Sequence, residues 1–153
     1  MGPLTFPFDE DSSKPVFYQK VGSEVISILV DTGASLPLWT DGLDRFLTIF
    51  PEAEYLGPGE TFGVGGRAEG VWYKTVFAMG DITYTSLPIL CLKKSIDEFA
   101  FSMLLSYTML YGLDYLVRSK RHQLVIYPKI ASDLVRNLTI VDKDGSKIVV
   151  AAD

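Results

Sequence analysis

The sequence predicts a mostly-β domain whose sheet closes or folds over on itself. Three observations carry that prediction: many short runs rich in β-branched residues, turn signals at regular intervals between them, and little helical periodicity. At 153 residues the chain suits one domain with a sizeable core, and 48% hydrophobic against 22% charged residues excludes a disordered or low-complexity chain.

Val25-Ile26-Ser27-Ile28-Leu29-Val30 reads as a strand that stops at Asp31-Thr32-Gly33, where glycine supplies a turn. Thr40 is placed to cap a short helix over Gly42 to Leu47, which Pro51 keeps from running on. Six glycines (57, 59, 63, 65, 66 and 70) cluster between Tyr55-Leu56 and Val71-Trp72-Tyr73, and Thr75-Val76-Phe77 follows as a further strand signal. That pattern predicts a long hairpin with a mobile glycine tip. Another strand pair joins across Met79-Gly80-Asp81, running through Ile82-Thr83-Tyr84 and then Leu87 to Leu92.

Ser95-Ile96-Asp97-Glu98 has the form of a capping box, a feeble signal alone. Phe99 to Leu113 is an apolar run broken by Ser102, Ser106 and Thr108; membrane spans need about 20 apolar residues, so it reads as a buried core segment. Gly112 to Arg118 is expected to form one or two helical turns with Leu113, Leu116 and Val117 on one face. Gln123 to Tyr127 reads as a strand. Leu138–Val141 and Lys147–Val150 flank Asp142-Lys143-Asp144-Gly145-Ser146, a C-terminal hairpin spanning 138–150. Residues 1–15 are expected to be a flexible segment, cuttable around Asp9 to Pro15, ahead of a domain over 16–153.

Charge and composition exclude several functions. With 14 Lys and Arg against 19 Asp and Glu, the net charge of −5 disfavours a nucleic-acid binder, which must neutralise phosphates. The one cysteine, Cys91, cannot form an internal disulfide, and the one histidine, His122, cannot build a zinc site. His122 lies in the basic run Arg118 to His122, a solvated turn, which makes a Ser–His–Asp hydrolase an unfavoured reading. The start Met1-Gly2-Pro3-Leu4-Thr5-Phe6 lacks the features of a signal peptide, and Phe6 fails the myristoylation pattern. A soluble protein, without membrane partner and cytoplasmic, is the expectation.

Chemistry points first to Val30-Asp31-Thr32-Gly33-Ala34-Ser35, which puts a carboxylate on a tight turn at the end of an apolar strand. An ordinary strand-ending turn explains the same residues, since Asp and Gly both favour turns. Two further features weigh against that bland reading. The glycine hairpin, about thirty residues on, is placed to fold over a cleft, although a plain surface hairpin fits it too. Met109-Leu110-Tyr111-Gly112-Leu113-Asp114-Tyr115-Leu116 is an apolar strand entering a glycine, where a backbone can pack tightly behind another loop.

In this order the three features resemble the retropepsin-like aspartic proteases, single-domain relatives of retroviral proteases and pepsin, from about Val16 to Tyr127. Asp31-Thr32-Gly33-Ala34-Ser35 resembles the catalytic loop, Phe62-Gly63-Val64-Gly65-Gly66 the flap tip, and Leu110 to Leu116 the apolar–apolar–Gly motif. The resemblance implies a closed acid-protease-like β-barrel, one short helix after Gly112, and one catalytic loop per chain. It implies Asp31 as the catalytic acid and base, Thr32 bonding across a two-fold axis, Gly33 donating its N–H to the carboxylate, and Ala34 and Ser35 beside substrate. Gly63, Val64, Gly65 and Gly66 would bind the substrate, and Gly112 would support the catalytic loop. Val30, Leu38, Trp39 and Ile89 are candidates for pocket or core, with core favoured.

Two departures stand out. Tyr111 brings a hydroxyl-bearing ring to a usually aliphatic position and must find a partner or reach the surface. The segments 1–15 and 130–153 exceed a minimal retroviral protease, so the terminal hairpin is placed to replace or extend dimer-forming strands. Peptide hydrolysis by this chemistry needs two close carboxylates sharing a proton. Asp41-Gly42, Asp81-Ile82 and Asp144-Gly145 lack the intervening Thr or Ser, so only one catalytic loop exists per chain and a homodimer follows. The expected function is an aspartic endopeptidase acting on extended polypeptides, without metal or organic cofactor and most active on the acid side of neutrality. The alternative is a non-catalytic dimerisation or peptide-binding module of the same fold.

Overall fold

A computed structural model of the chain describes residues 1–63, 66–96, 99 and 101–152. Its strands are β1 (Leu4–Pro7), β2 (Val16–Val21), β3 (Glu24–Asp31), β4 (Leu38–Trp39), β5 (Glu54–Gly63), β6 (Gly66–Met79), β7 (Ile82–Leu92), β8 (Met103–Ser106), β9 (Asp114–Arg118), β10 (Gln123–Tyr127), β11 (Val135–Lys143) and β12 (Ser146–Ala151). Two short helices interrupt them, α1 (Leu43–Ile49) and the single turn α2 (Tyr107–Leu110).

The protein is mostly β, as predicted, and among the described residues the strand pairing does not trace a closed barrel. One sheet has the order β1-β10-β9, and the larger follows the open path β12-β11-β7-β4-β8-β3-β2, with the β5–β6 hairpin branching from β7 through β6. The described strands form two sheets over one core. β3 runs parallel to β8, and β4 runs antiparallel to β8 but parallel to β7.

Alternation explains β3. Ile26, Ile28 and Val30 are buried, so the period of two turns Asp31 away from the core side. Leu38, Trp39 and Ile89 are likewise core, as is Val30. The Trp39 indole packs edge-on against Phe46 of α1 at 5.5 Å between centroids and donates to the Gly42 carbonyl at 2.8 Å. Thr40 does not cap α1. Gly42 precedes the helix with φ +87 and no side-chain cap, while the Thr40 hydroxyl donates to the Phe101 carbonyl at 2.8 Å. A buried backbone acceptor left without a partner is costly, and the Thr40 hydroxyl supplies that partner. Asp41 instead pairs with Arg45 one turn on, and both meet the Ser102 hydroxyl.

The helix expected over Gly112 to Arg118 is strand β9, paired to β10 from Asp114↔Tyr127 to Arg118↔Gln123. Tyr115, Leu116 and Val117, lying beside a strong strand, outweigh a weak helical spacing. The short helix lies before Gly112, not after it. Residues 1–15 are not a free lead-in either: β1 pairs with β10, Phe6 and Phe8 are buried, and the Val30 N–H donates to the Pro15 carbonyl at 3.0 Å. The terminal hairpin turns tightly through Asp144 and Gly145, with φ +52 and +81, conformations that Asp and Gly tolerate best. His122 occupies an exposed left-handed turn after Arg121. The Ser95–Glu98 capping box falls partly on residues 97 and 98, outside the described residues.

Candidate active site

Asp31 ends β3 directly opposite Ser106, the last residue of β8. The next residues form a tight turn in which the Ala34 N–H donates to the Asp31 carbonyl at 3.0 Å. The Gly33 N–H donates to Asp31 Oδ1 at 3.1 Å, fixing the carboxylate to its own loop. Such a bond is the local device by which Asp stabilises turns. Asp31 and Ala34 are half-buried, whereas Thr32, Gly33 and Ser35 are exposed.

The loop is tied from behind by α2. The Tyr107 N–H donates to the Ala34 carbonyl at 3.0 Å, and the Thr108 hydroxyl reaches the Ser35 carbonyl at 3.4 Å. Thr108 also shares a 2.6 Å hydrogen bond with the Ser106 hydroxyl, and both hydroxyls are buried. These residues were missed as functional on sequence grounds. Their signal was present as the two polar interruptions, two residues apart, in the apolar run 99–113.

At Gly112 a side chain would meet nothing within 4 Å among the described residues, and glycine provides φ +79 at the turn from α2 into β9. Tyr111 reaches the surface, 68% exposed, while its carbonyl accepts from Arg136 of β11. Tyr84 of β7 donates to the Met109 carbonyl at 2.7 Å. Two side chains from neighbouring strands thus hold the carbonyls of the segment that holds the Asp31 loop.

The β5–β6 hairpin pairs up to Gly63↔Gly66. Val64 and Gly65, at the expected tip, lie outside the described residues. Gly59 and Gly70 face each other across the ladder, and both are packing glycines: a side chain at 59 would overlap the Trp72 indole, and one at 70 would sit 2.6 Å from the Cys91 carbonyl oxygen. Arg67 pairs with Glu60 across the hairpin, and Phe62 near its end is 73% exposed.

A surface groove of about 590 Å³ lies elsewhere, between Leu56, Trp72 and Pro88 on one side and Leu138, Ile140 and Lys147 on the other. Asp31 does not line it. Among the described residues no three His, Cys, Asp or Glu side chains are grouped to hold a metal ion, and no helix is long and apolar enough to cross a membrane.

The fold is that of the retropepsin-like aspartic proteases. A retropepsin-like aspartic protease from Rickettsia conorii superposes on 99% of this chain and 94% of its own, with a TM-score of 0.50 and 15% sequence identity. No family sequence model matches the chain, and no curated protein matches it by sequence.

Proposed function

We propose that the chain is an aspartic endopeptidase whose site is completed by a second copy. The observation that carries this reading is the Asp31-Thr32-Gly33 turn, ending a core strand and bound from behind by Tyr107 and Thr108, within a retropepsin-like fold. Asp31 is surrounded by no second carboxylate of its own loop, and one carboxylate cannot serve as acid and base at once. In a symmetric pair, one Asp31 accepts a proton from water while the other, protonated, donates to the scissile carbonyl; the water oxygen adds to carbon and gives a tetrahedral diol. Thr32, exposed beside it, would bond across the axis, and Ala34 and Ser35 would lie along the substrate.

The hairpin with Gly63, Val64, Gly65 and Gly66 would close over an extended peptide and add main-chain hydrogen bonds. No metal or organic cofactor enters this chemistry.

The deciding experiment compares wild type with Asp31→Asn on an unstructured protein substrate between pH 4 and 7. Cleavage by wild type, blocked by a pepstatin-type inhibitor and lost in a variant of unchanged oligomeric state, supports the reading. A wild-type dimer that cleaves nothing overturns it in favour of a non-catalytic binding module.

A further inference from the structure

We infer that β9 is the strand through which two copies of the chain join, antiparallel and centred on Leu116. The inference rests on the dimeric reading above for its need of a second copy, and it adds the surface. Among the described residues β9 pairs only with β10, which leaves the backbone groups of its other edge without a strand partner there. Leu116 and Val117 on that edge are 53% and 40% exposed. An apolar strand edge left open is a template for another strand.

The other edges are guarded. β1 contains Pro7, β5 contains Pro58 and a bulge between Tyr55 and Gly57, and β2 and β12 carry Lys20 and Lys147. Proline and lysine on an edge discourage pairing, and β9 has neither.

Its sequence, Asp114-Tyr115-Leu116-Val117-Arg118, is complementary to itself. Antiparallel pairing about Leu116 sets Asp114 against the second copy's residue 118 and Tyr115 against residue 117, each contact occurring twice by symmetry. An aromatic residue beside a β-branched one, and opposite charges across a ladder, are both favourable cross-strand pairs. Arg118 has no ion-pair partner among the described residues, whereas Asp114 already meets Lys129 at 2.7 Å. The second copy would give Arg118 the carboxylate it lacks. The short ladder has help nearby: Tyr107 and Tyr111, 45% and 68% exposed, lie on the stretch linking Ser106, opposite Asp31, to β9.

The test is a charge exchange and a cross-link in the full chain. Arg118→Asp faces two carboxylates with two more and is expected to weaken dimerisation roughly tenfold or more, with Asp114→Arg doing likewise. The double variant Asp114→Arg/Arg118→Asp restores opposite charges and is expected to recover the wild-type dimer constant by analytical ultracentrifugation. Circular dichroism checks that each variant folds. Leu116→Cys places a thiol on the axis, where facing Cβ atoms lie at about 4.5–5.5 Å, and is expected to form a covalent dimer on mild oxidation. The native thiol of Cys91 is buried, and Ile148→Cys on the β12 edge should remain uncrosslinked.

A dimer indifferent to both charge changes and lacking the Leu116→Cys cross-link overturns this surface while leaving the two-copy enzyme standing. A monomer at all accessible concentrations overturns both. A rescued, cross-linkable dimer without peptidase activity supports the surface and overturns the enzyme.

Discussion

Asp31 and Ser106 are opposite residues of two parallel strands, one half-exposed and the other fully buried. The exposed member offers a carboxylate; the buried one starts the hydrogen-bonded path that holds it. From Ser106 the path runs through the Thr108 hydroxyl to the Ser35 carbonyl, and from the neighbouring Tyr107 N–H to the Ala34 carbonyl. The candidate catalytic turn is thus positioned by a buried polar pair behind it as well as by its own internal hydrogen bonds.

Thr108→Val keeps the shape of the side chain and removes both of its hydroxyl contacts. Ser106 Oγ is then buried without its partner, which costs about 1–3 kcal/mol. The expected outcome is a lower urea midpoint together with slower digestion of an unstructured protein, at unchanged dimer content. A stability loss with fully wild-type turnover would show that the pair supports the fold but not the turn.

Gly70→Ala should destabilise far more than Gly63→Ala. The added carbon at 70 would lie 2.6 Å from a backbone oxygen of β7, which cannot move without opening the β6–β7 ladder, whereas at 63 it meets nothing within 4 Å. Overpacking of this kind costs about 1–3 kcal/mol. Chemical denaturation of the two variants measures the contrast, and equal stabilities would mean that β6 and β7 sit farther apart than described.

Much of this arrangement was legible in the sequence, and the failures share one cause. Strand β3, its stop at Asp31, the long glycine hairpin and the Asp-Gly terminal hairpin all follow from local rules: β-branched runs, turn residues and tight-turn dihedrals. What was misread depended on distant partners. Residues 114–118 have helical spacing taken alone and become a strand because Gln123–Tyr127 lies alongside. Thr40 looks like a cap until the Phe101 carbonyl, 61 residues away, is placed over it. Gly59 and Gly70 read in the sequence as part of a hairpin with a mobile glycine tip, yet they make room for Trp72 and for the backbone of β7. The turn at Asp31 was readable; the Ser106–Thr108 pair behind it needed the β3–β8 register.

Tyr84 should be the last tyrosine to ionise. Burial pushes its phenol well above the ordinary value, and its hydroxyl donates to the Met109 carbonyl at 2.7 Å. A raised folded-state pKa contributes stability that is complete below about pH 10, the unfolded value, and is lost as the pH climbs further. An ultraviolet titration should therefore show Tyr84 ionising only with cooperative unfolding, separate from the exposed tyrosines among the chain's eight. Tyr18 also titrates late because its hydroxyl donates to Asp9, but being exposed it does so reversibly. Tyr84→Phe leaves the Met109 carbonyl unpaired, costs about 1–2 kcal/mol, and removes the component tied to unfolding.

Removal of the first eight residues should unfold the protein rather than trim it to a mature form. Phe6 packs on Phe17 with ring centroids 5.1 Å apart, and its ring edge lies against Gly80, where a side chain would come within 3.1 Å of it. Around it, β1 completes the β1-β10-β9 sheet, and the Phe8 N–H donates to the His122 carbonyl at 2.7 Å. Phe6→Ala alone opens a cavity in that core and is expected to cost about 3–5 kcal/mol, a large fraction of the stability of a domain this size. Thermal melting of Phe6→Ala and of the chain lacking residues 1–8 measures both. A truncated protein that melts like the full chain would mean that β1 adds nothing to the core, and residues 1–8 would then be a removable leader after all.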